Sequence, residues 1–209
     1  MNRSDKLSKH PIEKRLMSVF RIISLLLSAT GIIACVAMGI VSYQYSYALR
    51  HYGFAQGDIG KAMTVFADSR SALRAVIGYL DAGSISEQQE IYFDKRDSFT
   101  TYFNSITEQC NYSEAKKICD NISSVIDDYW TLSDEIIRQG ATSDVNASNN
   151  AQRLEMNKLT PEYDTIYGYM KQLMDCYVTK GNAYKRQLNI IEFVCIAVIL
   201  LLIAATRLQ

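Results

Sequence analysis

The chain has 209 residues with 22 basic and 22 acidic side chains, 48% hydrophobic residues and a mean hydropathy of −0.06. The two histidines, His10 and His51, lie far apart, and the five cysteines form no CxxC pair, which leaves no metal-ligand spacing and no zinc or haem site. No Walker loop, nucleophile–base pair or paired catalytic carboxylates appear, so neither a cofactor nor an enzyme is expected.

The near-zero hydropathy averages two unlike parts. Residues 1–21 form a basic tail, with Arg3, Lys6, Lys9, Lys14, Arg15 and Arg21 against Asp5 and Glu13. Ile22 to Tyr43 follows, 22 residues without a charge. A bilayer core ~30 Å thick needs about 20 apolar residues, so residues 22–43 are expected to cross a membrane. A secretory leader is the weaker alternative, because the apolar run exceeds the usual length of such a segment. Gly31, Cys35 and Gly39 are spaced i, i+4, i+8 along it. Small residues at that spacing let helices approach closely, either two copies of this one in a homodimer or this one and a second span of the same chain.

Residues 44–189 are polar and read as one aqueous domain of four helices. The first continues from the membrane to about Ala82, with Gly83 offering a left-handed C-terminal cap. Its early turns hold Gly53, Gly57 and Gly60. Glycines cost a helix about 1 kcal/mol each, which predicts compensating close packing there, again between copies. The second helix starts at Ser86, with Gln89 completing a capping box, and runs to Cys110. The third is capped by Ser113 and ends at Gly140. A loop spans 141–149. The fourth helix starts near Ala151, is kinked or divided by Pro161, and enters a second apolar stretch, 190–206, whose only charge is Glu192. Residues 207–209 begin a further cytoplasmic part.

Apolar residues recur at 3–4 spacing on all four helices: Ile59, Met63, Phe66, Leu73, Ile77 and Leu80; Tyr92, Phe99, Phe103 and Ile106; Ala115, Ile122, Tyr129 and Ile136; Met156, Leu159, Tyr163, Ile166, Met170, Leu173 and Tyr177. Such seams, joined by short loops, describe an antiparallel up-down four-helix bundle whose first and last helices continue into two membrane spans. The basic tail places both termini in the cytoplasm and the bundle outside a plasma membrane. The outer domain carries 15 basic against 19 acidic residues, which argues against nucleic acid as a partner. Cys110 and Cys119 flank the turn between the second and third helices. A disulfide between them would staple it; the alternative is two small apolar core residues.

The segments Tyr52-Gly-Phe-Ala-Gln-Gly-Asp-Ile-Gly-Lys-Ala62 and Asp68-Ser-Arg-Ser-Ala-Leu-Arg-Ala-Val-Ile-Gly-Tyr79, set in this layout, resemble the four-helix-bundle sensor of bacterial methyl-accepting chemotaxis proteins. The resemblance covers essentially the whole chain. It implies a homodimeric receptor for a small external ligand, with the signal passed by a small sliding or tilting of the fourth helix and second span. Contact with a chemotaxis adaptor and a histidine kinase would need a cytoplasmic part beyond Gln209. No HAMP linker or methylation helix lies within the 209 residues, and both a fragment of a longer receptor and a stand-alone membrane-anchored interaction protein stay open.

Two seam positions are unsuited to a plain core: Arg70 and Arg96. Counting through the turns puts both at one level, with Tyr129 and Tyr163 near it and Arg74 one turn from Arg70. A buried guanidinium needs an anion. The structural readings are an ion pair with Asp127, Asp128 or Asp164, or a seam shifted by one position so that the heads reach solvent along their stems. The other partner is the carboxylate of a small anionic ligand, an amino or organic acid, held by forked hydrogen bonds with a tyrosine hydroxyl in support. The resemblance carries the ligand role to Arg70 and Arg74 only; Arg96, Tyr129 and Tyr163 rest on the level count.

Overall fold

The computed structural model describes residues 5–110 and 112–207. Among these the chain is helical throughout, with no strand, and every connection is short. The first rod comprises α1 (Asp5–Ala48), a π-helical turn π1 (Leu49–Gly53) and α2 (Phe54–Gly78). Then come α3 (Ala82–Glu108) and α4 (Ser113–Gly140). The last rod comprises α5 (Val145–Leu154), a second π turn π2 (Glu155–Leu159) and α6 (Thr160–Arg207). The all-α class expected from the sequence is what is found.

The helix ends differ from expectation in three places. Gly83 caps nothing: α2 already ends at Gly78, Tyr79 is extended, and no described residue has a positive φ. Asp81 instead starts the next helix, its carboxylate accepting from the Ser84 N–H at 2.8 Å. Ser86 therefore lies inside α3 and makes no cap. Tyr112, not Ser113, holds the N-cap position of α4 and offers no side-chain cap. Asp144 accepts from the Asn146 N–H at 2.9 Å and starts α5, so the loop shrinks to 141–144.

Pro161 acts without breaking the helix. Lacking an N–H, it cannot bond the carbonyl four residues back. The backbone absorbs the defect just upstream: the Thr160 N–H reaches five residues back to the Glu155 carbonyl, closing π2.

The chain forms two compact units, Leu49–Asn182 and, separately, α1 with the end of α6 from Ala183. In Leu49–Asn182, Phe66 of α2 is fully buried at the centre of the core. Its ring meets Phe99 of α3 at 5.1 Å, Tyr129 and Trp130 of α4 at 5.0 and 5.7 Å, and Tyr163 of α6 at 4.9 Å. One side chain thus touches an aromatic from each neighbouring rod. The apolar seams are buried nearly as written, with two corrections. Leu80 lies beyond the end of α2 and is exposed. Met156 is 64% exposed, while Glu155 beside it is 2% exposed. The fourth seam therefore runs Ser148, Ala151, Glu155, Leu159, Tyr163.

Close approach explains Gly140. A Cβ built there would lie 2.5 Å from the Ala151 Cβ and 2.7 Å from the Ile77 Cγ2. Beside it, the Ser148 hydroxyl donates to the Ile77 carbonyl at 2.5 Å, and the Gln152 amide does so at 3.2 Å. This junction holds the end of α4 and the start of α5 against the end of α2. Gly140→Ala is expected to cost about 1–3 kcal/mol by overpacking, read as a lower melting temperature; an unchanged melting temperature would contradict the contact.

In the other unit, α1 is covered along one line, Leu26, Thr30, Ala34, Ala37, Val41, Gln44 and Ala48, at 3–4 spacing. Tyr184 of α6 donates to Gln44 and packs on Tyr47 with ring centroids 5.6 Å apart. Gly31, Cys35 and Gly39 are off this line and exposed, and a Cβ on either glycine would meet no atom within 4 Å. The small-residue ridge is therefore not what packs against the second apolar segment of the same chain. The glycine-rich start of α2 is similar: Gly57 meets nothing within 4 Å, and Gly53 only the side chain of Leu49, one turn earlier. Among the described residues, one helical stretch, Glu13–Gly78, is long and apolar enough to cross a membrane.

Candidate functional site

The charged residues singled out in the sequence form two clusters on the aromatic layer around Phe66. The first is built on Glu155. As the first residue of π2, its side chain faces α2, where Arg70 and Arg74 are one turn apart. Arg70 Nε donates to Glu155 Oε1 at 3.3 Å; Arg74 Nε and Nη2 donate to Oε1 and Oε2 at 2.9 and 3.3 Å. Thr160, at the other end of π2, donates its hydroxyl to Oε1 at 3.2 Å and accepts from Arg70 Nη2 at 2.8 Å. The Arg70 guanidinium also lies 4.1 Å over the Tyr163 ring. A carboxylate that is 2% exposed thus receives four hydrogen bonds, which offsets the cost of burying its charge.

The second cluster is on the α3–α4 side. Arg96 Nη1 donates to both oxygens of Asp134 at 3.0 and 2.9 Å, and its guanidinium lies 5.3 Å from the Trp130 ring. The Tyr92 hydroxyl donates to the same carboxylate at 3.4 Å. Arg96 also lines a groove of about 310 Å³ with Phe99, Phe103, Asp127 and Trp130.

The level count therefore places Arg70 and Arg96 in one layer, but on different helix pairs and with separate anions. Neither anion was among the three anticipated. Asp164 is exposed, and Asp128 instead faces Glu162, whose carboxyl is raised by burial and by that neighbouring charge. Sequence reasoning missed Glu155 because a seam is read from apolar residues, and Met156 satisfied that rule. The usable cue was register: Glu155 is four residues before Leu159, and two arginines on α2 required an anion at that height.

Tyr129 and Tyr163 both line the layer. Tyr163 rests against Arg70, and burial raises its phenol. Tyr129 is fully buried, and neither its hydroxyl nor that of Ser133 one turn away has a hydrogen-bond partner. Burial first, then the Tyr92 phenol, push the Tyr129 phenol far above its ordinary range. An unpaired buried hydroxyl costs roughly 1–3 kcal/mol. Tyr129→Phe is therefore expected to raise the melting temperature, by about 1 kcal/mol of added stability. A fall would mean that the hydroxyl holds a water or ligand in solution.

Cys110 and Cys119 carry free thiols, as do Cys35, Cys176 and Cys195. Among the described residues, no three His, Cys, Asp or Glu side chains are grouped closely enough to hold a metal ion. The geometry defines an all-helical protein with a buried arginine–carboxylate pair at a π turn. Comparison with protein families, curated proteins and solved structures found no match for the chain.

Proposed function

We propose that the chain is the sensor region of a transmembrane receptor of the methyl-accepting chemotaxis type. In this reading, residues 22–43 and 190–206 cross the plasma membrane, both termini are cytoplasmic, and residues 44–189 form an up-down bundle outside. The observation that carries it is the continuity of α6. One unbroken helix buries Tyr163, Ile166, Met170, Leu173 and Tyr177 in the core and ends in an apolar stretch with Phe193 and Leu201 at 73% and 70% exposure. Apolar side chains so exposed need lipid or a partner around them. α1 does the same with Phe20, Leu25 and Met38. A change in packing at the head of α6 is then passed along a stiff rod, as a small shift or tilt.

The head of α6 is where the ion pair and π2 meet. Two guanidiniums share one carboxylate there, and the Arg74 side chain is 50% exposed. A small carboxylate ligand would compete with Glu155 for Arg74 and Arg70 and loosen Glu155 from the π turn. The unpartnered ridge Gly31, Cys35 and Gly39 supports a homodimer along α1. The binding reading is tested by thermal shift of the full chain in detergent against amino and organic acids. Stabilisation by at least one of them, lost in Arg74→Ala, is expected. No shift from any would leave the second reading, a membrane-anchored interaction protein without a small ligand. One observation favours that second reading: Glu155 already fills the arginine pair.

A further inference from the structure

The charges of residues 44–189 are unevenly placed. Residues 44–57 and 176–189, which flank the two apolar segments, hold Arg50, Lys180, Lys185 and Arg186 and no Asp or Glu. Residues 58–175 hold 11 basic and 19 acidic side chains. An otherwise acidic domain is thus basic only beside its apolar segments. The orientation rule does not account for this, because it draws Lys and Arg to cytoplasmic flanks and not to outer ones.

One of these residues stands on a shaped surface. Arg50 of π1, with Phe54 and Lys61 of α2 and Gln109 at the end of α3, lines a groove of about 610 Å³. Gly53 and Gly57 belong to the same lining. A Cβ on Gly57 would meet nothing within 4 Å, and one on Gly53 only the Leu49 side chain, so the glycines leave the groove open. Lys61 is paired with Asp58 at 3.3 Å. Arg50 is exposed and, among the described residues, makes no ion pair. Phe54 is 57% exposed. The groove therefore offers an unpaired guanidinium together with an uncovered apolar ring. Arg50 follows Tyr43, the end of the uncharged run, by seven helical residues, ~10 Å of rise. Helical side chains lean toward the N-terminal end, here the side of the apolar run. The polar layer outside a bilayer's hydrocarbon core is about 5–8 Å deep on each face, which a long side chain leaning that way can meet.

We propose that this groove is a headgroup site for an anionic phospholipid, with the phosphate on Arg50 and the glycerol and upper chains on Phe54. It rests on the reading of residues 22–43 as a membrane span with the bundle outside. A guanidinium offers phosphate oxygens forked, charge-assisted hydrogen bonds. Inorganic phosphate carries nothing apolar to cover Phe54. A second copy of the chain would bring the same patch of each protomer together across a two-fold axis, setting Arg50 and Lys61 against their like. Each basic side chain near an anionic surface adds about fivefold to the attraction, so Lys180, Lys185 and Arg186 reinforce the site by their place in the chain.

The test uses native mass spectrometry of the full chain in a nonionic detergent, with short-chain phosphatidylglycerol, phosphatidylcholine or inorganic phosphate added. Phosphatidylglycerol should be retained in preference to phosphatidylcholine, and inorganic phosphate should not displace it. Arg50→Gln should weaken that retention about fivefold. Phe54→Ser should weaken it too, and neither change should move the melting temperature, since both side chains are exposed. Arg153→Gln should leave retention unchanged: it is an exposed charge on α5, which meets the opposite end of α2 at Ile77. Equal retention of the two lipids, displacement by inorganic phosphate, or retention unmoved by Arg50→Gln would overturn the headgroup site. Alkaline carbonate washing of vesicles carrying the chain tests the span separately. A chain that stays in the vesicles but shows no lipid preference loses only the headgroup site. A chain that washes off loses the span and the site together.

Discussion

Glu155→Ala is expected to lower the melting temperature by roughly 6–12 °C. The change removes the only anion that Arg70 and Arg74 bond among the described residues. Breaking a buried ion pair by deleting one partner costs about 3–5 kcal/mol, because the other charge is left unpaired. The low end applies here, since Arg74 is half exposed and can turn to water. Arg70 cannot; its side chain is 14% exposed and fixed over Tyr163. About 3 kcal/mol in a chain of this size corresponds to 2–4 °C per kcal/mol. The comparison that isolates the charge is Arg70→Met with Glu155→Met, which replaces ions by apolar groups of similar volume and should recover much of the loss. A fall below 2 °C for Glu155→Ala would mean that the carboxylate is not held as described. Glu155 also supplies the carbonyl that closes π2, while its side chain receives the Thr160 hydroxyl. The side-chain bond ties one end of the turn to the other, so losing it should also loosen the start of α6, seen as faster amide exchange at 155–163.

Periodicity made most of the fold legible. Four seams at 3–4 spacing named 18 of the 29 buried hydrophobic residues among those described, including Phe66, Tyr129 and Tyr163 but not Trp130, because apolar burial drives helix packing and leaves its period in the sequence. Helix ends were less legible. Asp81-Ala82-Gly83-Ser84 fits the close of one helix as well as the start of the next, and only the Asp81 carboxylate meeting the Ser84 N–H decides between them. The site was half legible. Arg70 and Arg96 stood out as charges in apolar seams, yet Glu155 did not, since a charge adjacent to a methionine looks like the solvent side of a seam. Pro161 announced a defect but not its form. The proline ring forbids one hydrogen bond; whether the helix kinks, breaks or takes up an extra residue is decided by what the extra residue can reach. Here it lets Glu155 reach two arginines.

Between pH 10 and 12 the fold is expected to collapse cooperatively, with tyrosine ionisation and unfolding coinciding. Tyr92, Tyr129 and Tyr177 are each at most 1% exposed, and burial, the largest cause in each, drives their phenols far above the ordinary value near 10. Asp134 adds to the rise at Tyr92, and Cys110 to that at Tyr177. In the folded chain these groups stay protonated; in the unfolded chain they ionise near pH 10. The unfolded state therefore binds fewer protons above that point. Stability is fully present below pH 10 and falls as pH rises, by about 1.4 kcal/mol per pH unit for each such group. Three of them remove about 4 kcal/mol per unit once all are ionised in the unfolded chain. Cys119 begins the loss earlier, since its thiol is pushed from an ordinary value of 9 to about 12. Against a typical total of 5–15 kcal/mol, the chain should unfold before the three phenols ionise in place. Absorbance at 295 nm and far-ultraviolet circular dichroism, followed together on the full chain in detergent, check this. A final rise in absorbance should coincide with the loss of helix. Complete tyrosine titration near pH 10 with the helix retained would show that the layer around Phe66 is open to water.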